Sequence, residues 1–289
     1  MRPAFHPRLV NSPFGDPGIF IPFSFHKRAI QLDLGQIEDL SSKDLLKISH
    51  VFISHTHMDH FAGFDRLLRL LLGRAHRLSL YGPEGFLRNV EGKLSGYTWN
   101  LVKNYRDALE LKVTEIHPDT TVTQWYRCED GFVPRQGYQS SSFDGILLKE
   151  PSFTISARVL DHGIPCLGFA IEEPFHVNII KENLKPLGVE VGLWLRNFKH
   201  ALYDARGRDK DFTLPGGRIY RLQQLAADIA LITPGQKIAY ITDVVATADN
   251  LKAMEPLIKD VDHLFIEAAF MHKDAALAFQ KRHLTARQA

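Results

Sequence analysis

Apolar and polar residues alternate in some stretches of the chain, and apolar residues recur every three or four positions in others. These two periods separate strands from helices. Phe153, Ile155, Ala157 and Val159 alternate with Thr154, Ser156 and Arg158, which predicts a half-buried strand. Leu109, Leu111 and Val113 alternate in the same way, as does the run from Ile30 to Gly35. The short apolar runs Val51-Phe52-Ile53, Leu78–Tyr81, Ile238–Ile241 and Leu264–Ile266 predict further, more deeply buried strands. Helical spacing begins at Phe61 and continues through Phe64, Leu67, Leu68, Leu71 and Leu72, with Gly73 as a stop. A second helix is expected from about Glu84 to Leu94, after the turn Gly82-Pro83-Glu84-Gly85. Pro3, Pro7, Pro13, Pro17 and Pro22 argue against helix in residues 1–35. The Ser-, Gly- and Pro-containing segment from Glu129 to Pro151 reads as a long surface loop.

Several of these strands end in metal-binding residue types. Val51–Ile53 leads into His55-Thr56-His57-Met58-Asp59-His60, the 153–159 run into Asp161-His162-Gly163, Ile238–Ile241 into Thr242-Asp243, and Leu264–Ile266 into Glu267. Imidazole nitrogens and carboxylate oxygens suit zinc, and also manganese or iron. His55 and His57 are two apart, so on an extended segment they point the same way, while Asp59 and His60 can turn toward a second ion. The loop joins a strand to a helix, at the strand's carboxyl end, where sites in α/β folds usually lie. A lone His162 or Asp243 is ordinarily structural; the recurrence of strand-end ligands after the histidine loop makes both metal-ligand candidates.

Composition changes this picture little. A chain of 289 residues holds one large domain or two small ones. Its net charge of +2 permits nucleic-acid binding without indicating it. Cys128 and Cys166 make no disulfide framework, which favours a reducing cytoplasm. The first residues lack the apolar core of a secretory signal. The run Leu67–Leu72 is interrupted by Arg69 and is too short to span a membrane. Residues 174–221 differ in carrying mostly positive charge, including Lys185, Arg196, Lys199 and Arg218, interleaved with Phe175, Trp194, Phe198, Tyr203 and Phe212. Such a mixture binds nucleic acid through phosphate contacts and stacking, or is an ordinary solvated excursion anchored by a few aromatics.

The ordered set of His55 to His60, Asp161-His162 and Asp243 resembles the motif series of the metallo-β-lactamase superfamily, and within it the ribonuclease Z family of tRNA 3′-processing endoribonucleases. Four further stretches carry the closer likeness: Gly168–Glu173, Lys185-Pro186-Leu187-Gly188 through Lys199, Pro234–Lys237, and His283-Leu284-Thr285 onward. There are departures. A proline-rich start replaces the usual glycine-rich strand, Gly192-Leu193 stands at the arm's usual Gly-Pro pair, and Thr242-Asp243-Val244 stands for Gly-Asp-Thr. By the resemblance, the family's last metal-binding histidine lies beyond Ala289. The chain is therefore expected to lack a C-terminal helix and strand, and to bind a second ion weakly, with His263 and His272 as candidate substitutes.

The resemblance implies an α/β fold, a four-layer αββα sandwich over residues 1–289, with 174–221 inserted as a basic substrate-binding arm. It implies two Zn2+ ions, with Mn2+ or Fe as alternatives. His55, His57 and His162 would hold one, Asp59 and His60 the other, with Asp243 bridging both. It implies hydrolysis of a tRNA precursor, or another RNA, by a metal-bound hydroxide. Asp59 would orient the nucleophile or take its proton, and His283 would protonate the leaving 3′ oxygen. A homodimer is implied, with one subunit's arm reaching substrate at the other. Two alternatives stay open: a small-molecule metallo-hydrolase (phosphodiesterase, lactonase or thioesterase), and a weakly catalytic metal- or RNA-binding relative. The opening of a helix is expected at Thr285, as its N-cap.

Overall fold

The alternating runs pair into two sheets in a computed structural model of the chain, which describes residues 4–24, 27–105, 107–135, 137–205 and 209–289. Strands β1 (Arg8–Leu9), β2 (Ile19–Pro22), β3 (Ala29–Leu32), β4 (Ile48–Phe52), β5 (His76–Pro83), β6 (Leu109–Ile116), β7 (Thr120–Arg127) and β8 (Gln139–Ser142) form one sheet in chain order. β3 to β6 are parallel, so their carboxyl ends share one edge. Helices α1 (Ser42–Leu45), α2 (Met58–Phe61), α3 (Phe64–Leu71) and α4 (Phe86–Ser95) fall between these strands.

The chain continues through β9 (Ile146–Glu150), β10 (Phe153–Asp161) and β11 (Pro165–Glu172). It then departs through β12 (Phe175–Ile179), α5 (Trp194–Ala205), β13 (Asp211–Thr213), β14 (Ile219–Arg221), α6 (Leu222–Ile229) and β15 (Ala230–Pro234). It returns as β16 (Lys237–Ile241), followed by α7 (Ala248–Ile258), β17 (His263–Ile266) and α8 (Ala275–Lys281). The second sheet runs β17-β16-β11-β10-β9.

The cores fix the layers. Leu67, Leu71 and Val90 pack with Val51, Leu78 and Leu111 on the helical side of the larger sheet. Phe52, Tyr81 and Ile30 meet Phe169, Ile155 and Tyr240 between the sheets. Leu160, Ala170 and Ile241 meet Met254 and Leu257 of α7 on the far side. The order is helix, sheet, sheet, helix: the four-layer αββα sandwich. The Phe52 ring stacks on Tyr81 at 4.7 Å and meets Phe169 edge-on at 5.7 Å. Each such buried ring contributes about 1.5–3 kcal/mol of transfer free energy.

Local departures from expectation have local causes. The expected 129–151 loop contains β8 and β9, which pair with β7 and β10. β8 is Gln-Ser-Ser-Ser and wholly exposed, so no apolar alternation marks it. The helix after the histidine loop is divided into α2 and α3. Between them the Gly63 N–H donates to Leu34 O at 2.8 Å, and a side chain on Gly63 would collide with Gly35 O. The strand expected over 30–35 stops at Leu32, because Asp33 takes the left-handed φ of 51°. The second helix starts at Phe86, two residues after Glu84, behind Gly85 at φ 86°. Thr285 opens a turn and not a helix: its hydroxyl donates to Gln288 Oε1 at 3.0 Å.

The 174–221 excursion has its own core of Val177, Phe198, Leu202, Leu225 and Ile229, and β12 pairs with β15, which carries it on to Pro234. Phe198 and Tyr203 are buried in that core, and Phe212 packs edge-on against Phe198 at 5.5 Å. Its aromatics therefore hold the excursion together, and Lys185, Arg196 and Arg218 form its exposed part. Arg206 and Arg208 lie outside the described residues. No helix among the described residues is long and apolar enough to cross a membrane.

Candidate metal centre

The parallel register brings the ligand-type residues to one edge. β4 ends at Phe52, and Ile53 N–H donates to Tyr81 O at 2.8 Å, which carries the backbone to His55 just beyond the sheet. β10 reaches the same edge before His162. β16 reaches it before Asp243, whose φ of 46° turns the chain sharply there. One donor atom from each of His55, His57, His162 and Asp243 lies within 4.8 Å of the others, and a second such group joins Asp243, Glu267 and His283.

Asp243 is common to both groups. Its Oδ2 lies 3.5 Å from His55 Nε2, 3.3 Å from His60 Nε2 and 3.6 Å from His162 Nε2. Its Oδ1 lies 3.8 Å from His283 Nδ1. His55 Nε2 is 2.9 Å from His57 Nδ1. His57 and Asp59 are exposed, so the centre opens to solvent on their side. Asp59 Oδ2 stands 3.6 Å from His60 Nε2. His263 begins β17, paired with Ile238 at the opposite end of the strands, and neither it nor His272 belongs to either donor group among the described residues.

The outer partners fix which nitrogen faces inward. His162 Nδ1 donates to Arg282 O at 2.8 Å, which leaves Nε2 unprotonated, with its lone pair on the side of Asp243. His60 Nδ1 donates to Asp33 Oδ2 at 2.9 Å. Asp33 is fully buried and accepts three further hydrogen bonds: from Ser54 N at 2.6 Å, Ser54 Oγ at 2.8 Å and Tyr240 Oη at 2.7 Å. Because Tyr240 comes from the second sheet, this carboxylate ties both sheets to the histidine loop. Asp33 carries no mark in the sequence, since a single aspartate after a short strand has no distinguishing pattern. Glu267 was visible only as a strand-end acid. Its Oε1 accepts Val244 N–H at 2.6 Å, and Oε2 holds His283 Nδ1 at 2.8 Å.

These residues fit a divalent cation. His60 Nε2 is buried with no hydrogen-bond partner, a condition that costs about 1–3 kcal/mol unless something occupies it. Burial, followed by the neighbouring His60, pushes the His55 pKa down to about 2, so it presents a neutral, ligand-ready ring. Burial also opposes a proton on His60, but Asp33 and Asp243 outweigh it and raise the pKa to about 10. His60 Nε2 thus faces negative charge that a cation would neutralise. The hydrogen bond that His283 Nδ1 donates to the Glu267 carboxylate raises the pKa of His283 above its ordinary value. The cluster can hold a metal ion, by both its donor set and its outer partners.

Comparison with known proteins agrees with this architecture. A family model described as a β-lactamase superfamily domain matches residues 31–214. The chain is 29% identical over 261 residues to a ribonuclease Z of Deinococcus radiodurans, covering 89% of this chain and 76% of that protein. It is 29% identical over 248 residues to a ribonuclease Z of Microcystis aeruginosa, covering 84% of this chain and 63% of that protein. The chain thus spans less than two thirds of the latter's length. The solved structure of the short form of human tRNase Z superposes with a TM-score of 0.50 at 14% identity, covering 99% of this chain and 84% of that one. A long-form RNase Z from yeast gives 0.50 at 11% identity, covering 99% and 34%. The structural likenesses concern the fold. The family model spans well over half of the chain, and the protein belongs to the β-lactamase superfamily.

Proposed function

We propose that the protein is a metal-dependent phosphodiester hydrolase that cuts RNA, with the 3′ trailer of tRNA precursors as its substrate. The observation that carries the reading is the position of Asp243 between two donor groups on one open edge. In this reading His55, His57, His162 and Asp243 would hold one Zn2+, and Asp59, His60 and Asp243 would hold a second. When bound, such ions stabilise charge on phosphoryl oxygens and make a water acidic enough to attack near neutral pH. The exposed Asp59 carboxylate is open to receive the proton lost by that water. His283 has Nδ1 engaged by Glu267, which leaves Nε2 to protonate the departing 3′ oxygen. The relatives named ribonuclease Z support the choice of RNA. The arm, with Lys185, Arg196 and Arg218 exposed, would contact the phosphate backbone. The reading also includes a cytoplasmic homodimer, to be tested by light scattering.

The test is cleavage of a precursor tRNA transcript by zinc-loaded protein. Release of the intact trailer is expected. An inert transcript, together with rapid hydrolysis of a lactone or thioester, would transfer the site to small-molecule chemistry.

A further inference from the structure

The turn between β1 and β2 stands on the same edge as the metal centre, because β1 ends and β2 begins there in antiparallel register with β3. Val10 N–H donates to Gly18 O at 2.9 Å and closes the loop; Gly15 N–H donates to Ser12 O at 3.0 Å and forms its tip. Asn11 Nδ2 donates to both Asp16 O and Gln36 O at 2.8 Å, and Gln36 N–H donates to Asp16 Oδ2 at 3.1 Å. This turn is therefore anchored to the segment that follows Asp33. Phe14, at its tip, is 99% exposed.

The turn also touches the histidine loop. A side chain on Gly35 would collide with Asp59 O on one side and with the Asp16 side chain on the other. Asp16 and Asp59 therefore meet over one glycine. Phe14 is two residues from Asp16, within about 7 Å of chain. On the histidine loop itself Met58 is 83% exposed, one residue from Asp59. Two large apolar side chains, one on the turn and one on the histidine loop, thus stand exposed on the edge that also carries Asp16, His57 and Asp59. A lone exposed apolar residue is ordinary. A whole aromatic ring on a turn held by several hydrogen bonds and anchored to the histidine loop is prearranged to cover a flat apolar surface.

We propose that Phe14 is a stacking platform for a nucleobase next to the scissile phosphodiester, so that it sets substrate affinity without taking part in bond breaking. The proposal rests on the RNA reading above. A nucleobase is the occupant that suits the place: its face is apolar and uncharged, so it is not repelled by Asp16 and Asp59, and its phosphate is what the adjacent centre would take. Stacking of this kind tolerates any base, because every base offers a π-face.

The test uses metal-loaded protein and an RNA hairpin with a 3′ trailer, its scissile linkage replaced by an uncleavable methylene phosphonate, with binding read by fluorescence anisotropy. Phe14→Ala should weaken binding on the order of tenfold, and Phe14→Trp should restore it. A hairpin made abasic at one of the two nucleotides flanking the linkage should bind wild-type protein as weakly as the intact hairpin binds Phe14→Ala, and the variant should not distinguish the two hairpins. On the cleavable hairpin the loss should appear in KM with kcat preserved. Wild-type protein that binds the hairpin but is indifferent to both changes overturns the stacking role and leaves the RNA reading standing. Wild-type protein that binds no RNA overturns both. Phe14-dependent binding to phosphatidylglycerol vesicles, or a fall in solution mass on Phe14→Ala, replaces the nucleobase with a lipid surface or a second copy of the chain.

Discussion

The stretch that runs from His50, in the middle of β4, to His55, three residues past its last, carries a histidine at each end, and the two ends differ instructively. At the lower end His50 Nδ1 lies 3.2 Å from Arg28 Nη2 and 3.0 Å from Ser49 Oγ. Arg28 also donates to Ser49 Oγ and to Glu150, each at 2.8 Å. The His50 ring stacks over Phe52 and Tyr81. At the upper end three imidazole nitrogens converge on one carboxylate oxygen, and His60 Nε2 has no hydrogen-bond partner. Burial pushes the pKa down at both, to about 3 for His50 and about 2 for His55. A depressed pKa therefore does not separate a structural histidine from a candidate ligand. The separation lies in what the ring faces: Arg28 and Ser49 below, and above a single carboxylate oxygen shared by three rings.

Four changes would sharpen or break that contrast. Asp243→Ala should have the largest effect, because it removes the oxygen common to both donor groups. Elemental analysis should find little bound metal, and RNA cleavage should fall by more than about a hundredfold while circular dichroism is unchanged. Retained metal would show that Asp243 is not the shared ligand. Asp33→Asn comes next. It weakens the acceptor that orients His60, so metal affinity in a competitive chelator titration should drop on the order of 10- to 100-fold.

At the lower end the expected loss is of stability alone. Arg28→Met leaves the Glu150 carboxylate and the Ser49 hydroxyl without their donor, and urea unfolding should report about 1–3 kcal/mol less stability. Metal content should be untouched; a change in it would mean the two ends are coupled. The smallest effect concerns pH. Folded His50 stays neutral down to about pH 3, whereas in the unfolded chain it takes up a proton below its ordinary 6.5. Its contribution to stability is complete above pH 6.5 and declines as pH falls toward 3. His50→Gln should therefore lose less stability between pH 7 and 5 than wild type, when the two urea midpoints are compared.

Legibility in the sequence followed the same line. The histidine loop, His162 and Asp243 were readable because residue type, spacing and position after a strand coincide. Asp33 was not, because its role arises from four donors, on Ser54, His60 and Tyr240, that meet only in three dimensions. The long strands were readable from alternation, whereas β8 has no apolar residue to alternate. The aromatics of the excursion could be counted but not oriented. Whether Phe198 faces a base or a neighbouring Phe212 depends on the fold of the segment, and here it faces Phe212.

The contact over Gly35 has a consequence for how such a protein can diverge. Two separate pieces of chain, around Asp16–Pro17 and around Asp59, rest on this one residue, so a side chain there would displace both together. Phe14, at the tip of the β1–β2 turn, lies beyond that anchor and is 99% exposed. Substitutions at Phe14 can therefore accumulate without shifting the donor cluster around Asp243. The edge is built as a fixed hub with an interchangeable rim: a change in the hub moves the donor cluster, and a change at the rim leaves it in place.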